Sequence, residues 1–175
     1  MAVERCDECG FDPADLRPDD TAIAVRSFVR RYQTPLSRGL AGEDLDAVVR
    51  RAPAPGVWSA LEYAAHVRDV FQVFDDRIRC AMAGREPSEP VVDWEARVAR
   101  ASPTLSRTVV VDEIADAAGT LATTLAELTP AEWQLSTRTG RGQEVPAHEL
   151  ARIAVHEGGH HLLDVGRALR AARGR

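Results

Sequence analysis

Apolar side chains return every third or fourth residue through long stretches of this chain and almost nowhere alternate with polar ones. Its hydrophobic surface therefore has to be buried by helices packing on helices. The clearest stretch runs from Ser59 to about Gly84, where Ala60, Tyr63, Val67, Val70, Phe71, Phe74 and Ile78 form one stripe and Arg68, Asp69, Gln72, Asp75, Asp76 and Arg79 lie opposite. Ser59 with Glu62 three residues on is a capping box at its start. A first helix is expected through Ile23, Val25, Phe28, Val29 and Tyr32, begun by Asp19, Asp20 and Thr21 and ending or bending at Pro35. A third long helix is expected from about Asp112 to Leu128, and a last one from Pro146 to about Arg170. Leu45 to Val49 and Asp93 to Ala101 suit short helices. The one brief alternation, Thr108 to Val111, does not support a sheet, and Thr137 to Glu144 reads as a polar, Gly-rich connection. The pattern predicts an all-α four-helix bundle over 19–175, preceded by an irregular N-terminal arm over 1–18 that carries Pro13 and Pro18.

Composition narrows the chemistry. At 175 residues one core is the default, and 45% hydrophobic with 28% charged residues is ordinary globular composition. There is no lysine and no asparagine, so all 22 basic residues are arginine. This excludes Schiff-base chemistry and a Walker-type phosphate lysine, both of which need a primary amine. The same bias suggests a high-G+C genome. A formal charge of -5 predicts no nucleic-acid partner, and the Arg-rich end (Arg167, Arg170, Arg173, Arg175) reads as a solvated helix terminus. No apolar run approaches the ~20 residues of a membrane span and no signal-peptide pattern opens the chain, so a cytoplasmic location without membrane partners is expected.

Four of the five histidines, His148, His156, His160 and His161, lie within fourteen positions. On a helix, His156 and His160 share a face one turn apart and can reach one ion. His66, at the border of the second helix's apolar stripe, offers a third nitrogen from a facing helix, and three ligands with an open position suit catalysis. The expected metal set is therefore His66, His156 and His160, with Asp164 and Glu62 as acceptors for the outer ring nitrogens. Gly158 and Gly159 sit between the proposed ligands despite their cost in a helix, which points to the close approach of another group. Cys6 and Cys9 form a lone C-x-x-C: a reduced pair on a mobile arm, half of a second zinc site completed by other residues, or a redox pair. Cys80 is read as core packing.

His156 to His160 also spells H-E-G-G-H, the zinc-hydrolase motif, but only fifteen residues follow and none supplies the usual downstream ligand. Trp58, Ser59, Leu61, Glu62, His66 and Asp69 on one helix, with His156, Glu157, His160, His161 and Asp164 on the last, resemble the DinB/YfiT-like superfamily over roughly residues 20 to 170. The resemblance implies an up-down-down-up bundle, a divalent ion (zinc, with nickel as the alternative) and transferase or isomerase activity with a low-molecular-weight thiol such as mycothiol. Mycothiol belongs to high-G+C bacteria. On that reading the partners are a small thiol and an electrophile, and a homodimer is compatible. Glu157 is the expected proton acceptor, and Arg138, Arg141 and Arg152 are the expected anion contacts. A non-catalytic metal-binding stress protein is the alternative. The Cys6/Cys9 arm is additional to the simplest family pattern.

Overall fold

A computed structural model describes residues 4–89, 91–138 and 143–175. It contains helices α1 (Pro18–Ser37), α2 (Leu45–Arg50), α3 (Ala60–Met82), α4 (Trp94–Ala101), α5 (Arg107–Glu127) and α6 (Ala147–Ala172), with a hairpin of β1 (Ser136–Arg138) and β2 (Glu144–Pro146). None of these helices is long and apolar enough to cross a membrane.

The four long helices close a ring in which α1 and α3 each pack on both α5 and α6. Their directions follow from the bonds between them. Arg107 at the start of α5 donates to the carbonyl of Leu36 at the end of α1 (3.1 Å), so α1 and α5 are antiparallel. Arg68 meets Glu113 and, two turns on, Asp75 meets Thr124, so α3 and α5 run together. His66, early in α3, meets Glu157 and His161 of α6, whereas Ala81 at the end of α3 lies beside the hairpin that precedes α6, so α3 and α6 are antiparallel and α6 runs with α1. The result is the up-down-down-up bundle.

The capping box forms as expected: the Ser59 amide donates to Glu62 (2.8 Å) and the Glu62 amide to Ser59 Oγ (3.3 Å). The polar side of α3 is only partly open to solvent: Gln72 and Arg79 are exposed, but other residues on it are not. Asp69 and Asp75 are buried, because α4 and α5 cover that side. Arg68 and Arg97 both neutralise Asp69, at 2.8 and 2.9 Å. Arg79 neutralises Asp75, and the Thr124 hydroxyl donates a hydrogen bond to it. Charges on this face are thus paired within the fold, which is the condition for burying them.

Three boundaries differ from expectation. Helix α5 begins at Arg107, absorbing the Thr108 to Val111 alternation; Val110 is buried against the core, and packing outweighs the β preference of a short β-branched run. Helix α1 continues through Pro35, where the ring removes one hydrogen bond in the last turn while the fully buried Leu36 holds that turn to the core. The Gly-rich connection is flanked by a paired hairpin whose inward residues, Thr137 and Val145, are buried opposite one another.

Gly158 shows what fixes α6. A Cβ there would stand 2.7 Å from the buried Phe28 ring, whereas at Gly159 it would meet nothing within 4 Å. Only the first glycine is required by packing. Gly158→Ala should therefore destabilise the chain by about 1–3 kcal/mol through overpacking. Gly159→Ala should stabilise it by about 1 kcal/mol through helix propensity. Urea unfolding of the two variants checks the opposite signs.

Candidate metal centre

Residues 156 and 160 form one pair four apart on α6, and 157 and 161 form another, displaced around the helix by about 100°. The two pairs therefore face different neighbours. With α6 held by Phe28 and Tyr32 of α1, the second pair meets His66 on α3 and the first meets the N-terminal arm. The potential ligand atoms accordingly gather as two groups, His66 with Glu157 and His161, and Cys6 with Cys9, His156 and His160, each within 4.8 Å of one another. The expected set of His66, His156 and His160 is divided between them, because a helix cannot aim positions 156 and 157 at the same wall.

In the first group His66 Nε2 is 3.3 Å, and His161 Nε2 3.2 Å, from the same Glu157 oxygen, Oε2. Ligand atoms around a tetrahedral zinc with bonds of about 2.0–2.2 Å stand about 3.3 Å apart. Two imidazoles and a carboxylate at this separation suit a divalent ion and leave coordination positions for water or substrate. His161 is oriented from behind by Asp164, whose Oδ2 lies 3.0 Å from Nδ1. His66 is buried, with Nδ1 lacking a hydrogen-bond partner.

The electrostatics match the geometry. Burial works to raise the Glu157 pKa, but hydrogen bonds from His161 and His66 outweigh it and hold the carboxyl well below its ordinary range. Burial works to lower that of His161, but Glu157 and Asp164 outweigh it and raise the imidazole above its ordinary 6.5.

Aromatic rings surround the group. Trp58 and Trp94 lie 5.2 and 5.1 Å from the His66 ring, and Tyr63 stacks on His161 at 5.4 Å. Trp58 also lines an open groove of about 670 Å³ between the 52–57 loop and α4, bordered by Glu62, Glu95 and Val98. Trp58 is thus shared between the group of potential ligand atoms and the groove.

The model of the DinB superfamily matches residues 32–165 of this sequence. The chain belongs to the DinB superfamily. No curated protein matches it. Among solved structures, a mycothiol-dependent maleylpyruvate isomerase superposes with a TM-score of 0.70 at 21% identity, over 88% of this chain and 62% of that one. A variant of that enzyme gives 0.71 at 20%, again over 62% of its length. YfiT from Bacillus subtilis, described as a probable metal-dependent hydrolase with an unusual four-helix bundle topology, gives 0.69 at 12%, over 86% of each chain. These likenesses establish the shared fold, and this chain spans less than two thirds of the isomerase.

Within this DinB-superfamily bundle the other expected residues fall as follows. Glu157, expected as a free proton acceptor, sits between two imidazoles. That also removes it from the zinc-hydrolase arrangement, in which the glutamate stands free beside a metal on His156 and His160. Glu62 is engaged by Ser59 and Ser102 rather than by His66. Arg138 lies beside Ala81 and Gly84 at the far end of α3, about four turns from His66. Arg152 pairs with Glu149 at 3.0 Å, and Arg141 lies outside the described residues.

The opposed shifts define a pH window for the metal-free chain. Glu157, lowered, contributes stability that is present above 4.5 and lost as pH falls through its folded value. His161, raised, contributes stability that is present below 6.5 and lost as pH rises through its folded value. In the presence of a chelator, His161→Gln should flatten the loss of stability on the alkaline side of 6.5, as urea midpoints across a pH series would show.

Proposed function

We propose that this chain is a cytoplasmic, metal-dependent transferase or isomerase that uses a low-molecular-weight thiol of the mycothiol kind. The supporting observation is the convergence of His66 Nε2, Glu157 Oε2 and His161 Nε2 next to Trp58, which also lines the groove. In this reading these three residues hold the ion, which replaces the three-imidazole set while keeping His66. Zinc is the first choice, and a divalent ion in this position favours the ionised, nucleophilic form of a thiol.

Each neighbouring residue has a task. Asp164 keeps His161 in the tautomer that leaves Nε2 free for the ion. Trp58, Tyr63 and Trp94 exclude water and lower the local dielectric, which strengthens charge interactions at the centre. The 52–57 loop and α4 shape the groove that takes the body of the thiol. Its charged border is Glu62 and Glu95, with no arginine among the described lining residues, which suits a neutral, polyhydroxylated cosubstrate better than a polyanion. The anion-contact role expected of Arg138 has no support in this placement. The isomerase that shares the fold is mycothiol-dependent, in keeping with the proposed thiol class.

The test uses full-length protein, zinc-loaded under reducing conditions, offered a bimane-type electrophile with mycothiol, bacillithiol or glutathione in turn. Metal-dependent consumption of one thiol, abolished in His66→Ala, is the expected result. A filled site with no turnover on any thiol would overturn the proposal in favour of a non-catalytic metal protein, and peptide hydrolysis surviving His66→Ala would favour the hydrolase. Asp164→Asn should weaken metal binding or activity about 10–100-fold while the helical signal is retained. Competition with a chromophoric chelator measures the first of these.

A further inference from the structure

The second group of ligand atoms has no part in that function. We propose that Cys6, Cys9, His156 and His160 form a separate, structural zinc site that clamps the N-terminal arm to α6. The four offer two sulfurs and two ring nitrogens within 4.8 Å of one another. Cys6 Sγ lies 3.5 Å from His160 Nδ1. A tetrahedral zinc with bonds of about 2.3 Å to sulfur and 2.0–2.1 Å to nitrogen separates those atoms by about 3.5 Å. Two thiolates cancel the charge of the ion, and four protein ligands leave no position for substrate, so this donor set is closed and structural where the other is open. Binding releases the two thiol protons to solvent.

The arm is shaped for the task. Gly10, directly after the second cysteine, takes a left-handed conformation (φ 72°), and its amide donates to the Cys6 carbonyl (2.9 Å). The Cys6 amide in turn bonds the Phe11 carbonyl (2.9 Å), which closes the turn. Backbone groups of Glu8 and Cys9 face the Cys6 sulfur, and that of Phe11 faces Cys9. Such a turn presents both sulfurs on one side without any element of regular structure.

On α6, each imidazole is prepared for coordination. Glu8 Oε2 stands 3.3 Å from His160 Nε2 and Asp164 Oδ2 3.7 Å from it, so both carboxylates lie on the Nε2 side of the ring while Nδ1 faces Cys6. Nε2 of His156 is buried without a hydrogen-bond partner, a state that coordination would relieve. Phe11 packs on the His156 ring, with centroids 5.5 Å apart, and covers that side. Cys6 and Cys9 are free thiols in the structure, available as ligands.

The test counts metals one site at a time. Full-length protein under reducing conditions is stripped with a chelator, titrated with zinc, and analysed for bound metal. Two equivalents are expected for the parent chain. Cys6→Ser with Cys9→Ser should retain one, and His66→Ala with His161→Ala should also retain one. Cobalt substitution should give thiolate-to-metal absorption in the near ultraviolet in the parent and in the His66/His161 variant, and none in the cysteine variant. Amide hydrogen exchange over residues 4–16 should be at least tenfold slower with zinc than without it, and this protection should vanish in the cysteine variant while its helical circular dichroism persists. Equal zinc content in the parent and the cysteine variant would overturn the proposal, as would a cobalt spectrum without thiolate absorption or an arm whose exchange ignores zinc. Loss of the other equivalent bears only on the open site, so the two readings fail separately.

Discussion

The rotation of α6 about its own axis decides what the structure can do. Positions 156 and 160 differ from 157 and 161 by one residue, so about 100° of rotation determines which pair faces α3 and which faces the arm. That rotation is fixed by α1, which contributes no ligand to either group. Phe28 occupies the space a side chain at 158 would need, and the Tyr32 hydroxyl donates to the Gly158 carbonyl at 2.9 Å in the buried interior. Gly158 lies between both pairs, so the contact that sets the phase adjoins the residues whose aim it sets. A bulkier residue would force α6 to move, and both groups would lose their registration together.

Much of the fold was legible in the sequence because its signals are local. The Ser59/Glu62 capping box, the α3 stripe and the short helices near 45 and 94 depend on residues within a turn or two, and each appears where its pattern places it. What escaped depends on other elements. Asp69 and Asp75 lie opposite the apolar stripe, and nothing within α3 shows that α4 and α5 will bring Arg97 and Thr124 onto them. The site shows the same division. The ligand residue types and their four-residue spacing were visible, but the choice between the 156/160 and 157/161 pairs as partners of His66 depends on helix phase, which α1 sets. One signal could have carried further: a chain with two unmatched cysteines and two histidines four apart already contains a complete four-ligand zinc set.

The chemistry of the two groups differs as their positions do. Three neutral imidazoles would have left an ion its full charge; two imidazoles and Glu157 reduce the net charge by one. Such a centre stabilises a bound anion less strongly, but the low dielectric created by Trp58, Tyr63 and Trp94 makes the remaining charge more effective. The other group carries two sulfurs, and four protein ligands on a zinc ion would leave no open position. On the two proposed readings, one helix would serve a centre suited to reaction and a centre suited to holding, using adjacent residues.

The two groups are also joined electrostatically. Asp164 Oδ2 lies 3.0 Å from His161 Nδ1 and 3.7 Å from His160 Nε2, so one carboxylate stands behind an imidazole of each group. Glu157 makes a second link, with Oε2 between His66 and His161 and Oε1 3.7 Å from His156 Nδ1. From Glu8 on the arm to His66 on α3, acids and imidazoles alternate in space: Glu8, His160, Asp164, His161, Glu157, His66, the widest separation being the 3.7 Å between His160 and Asp164. Asp164 and Glu157 are thus the two acids that stand between the groups, each hydrogen-bonded to the open-site histidines (His161 and His66) and only near those of the other group.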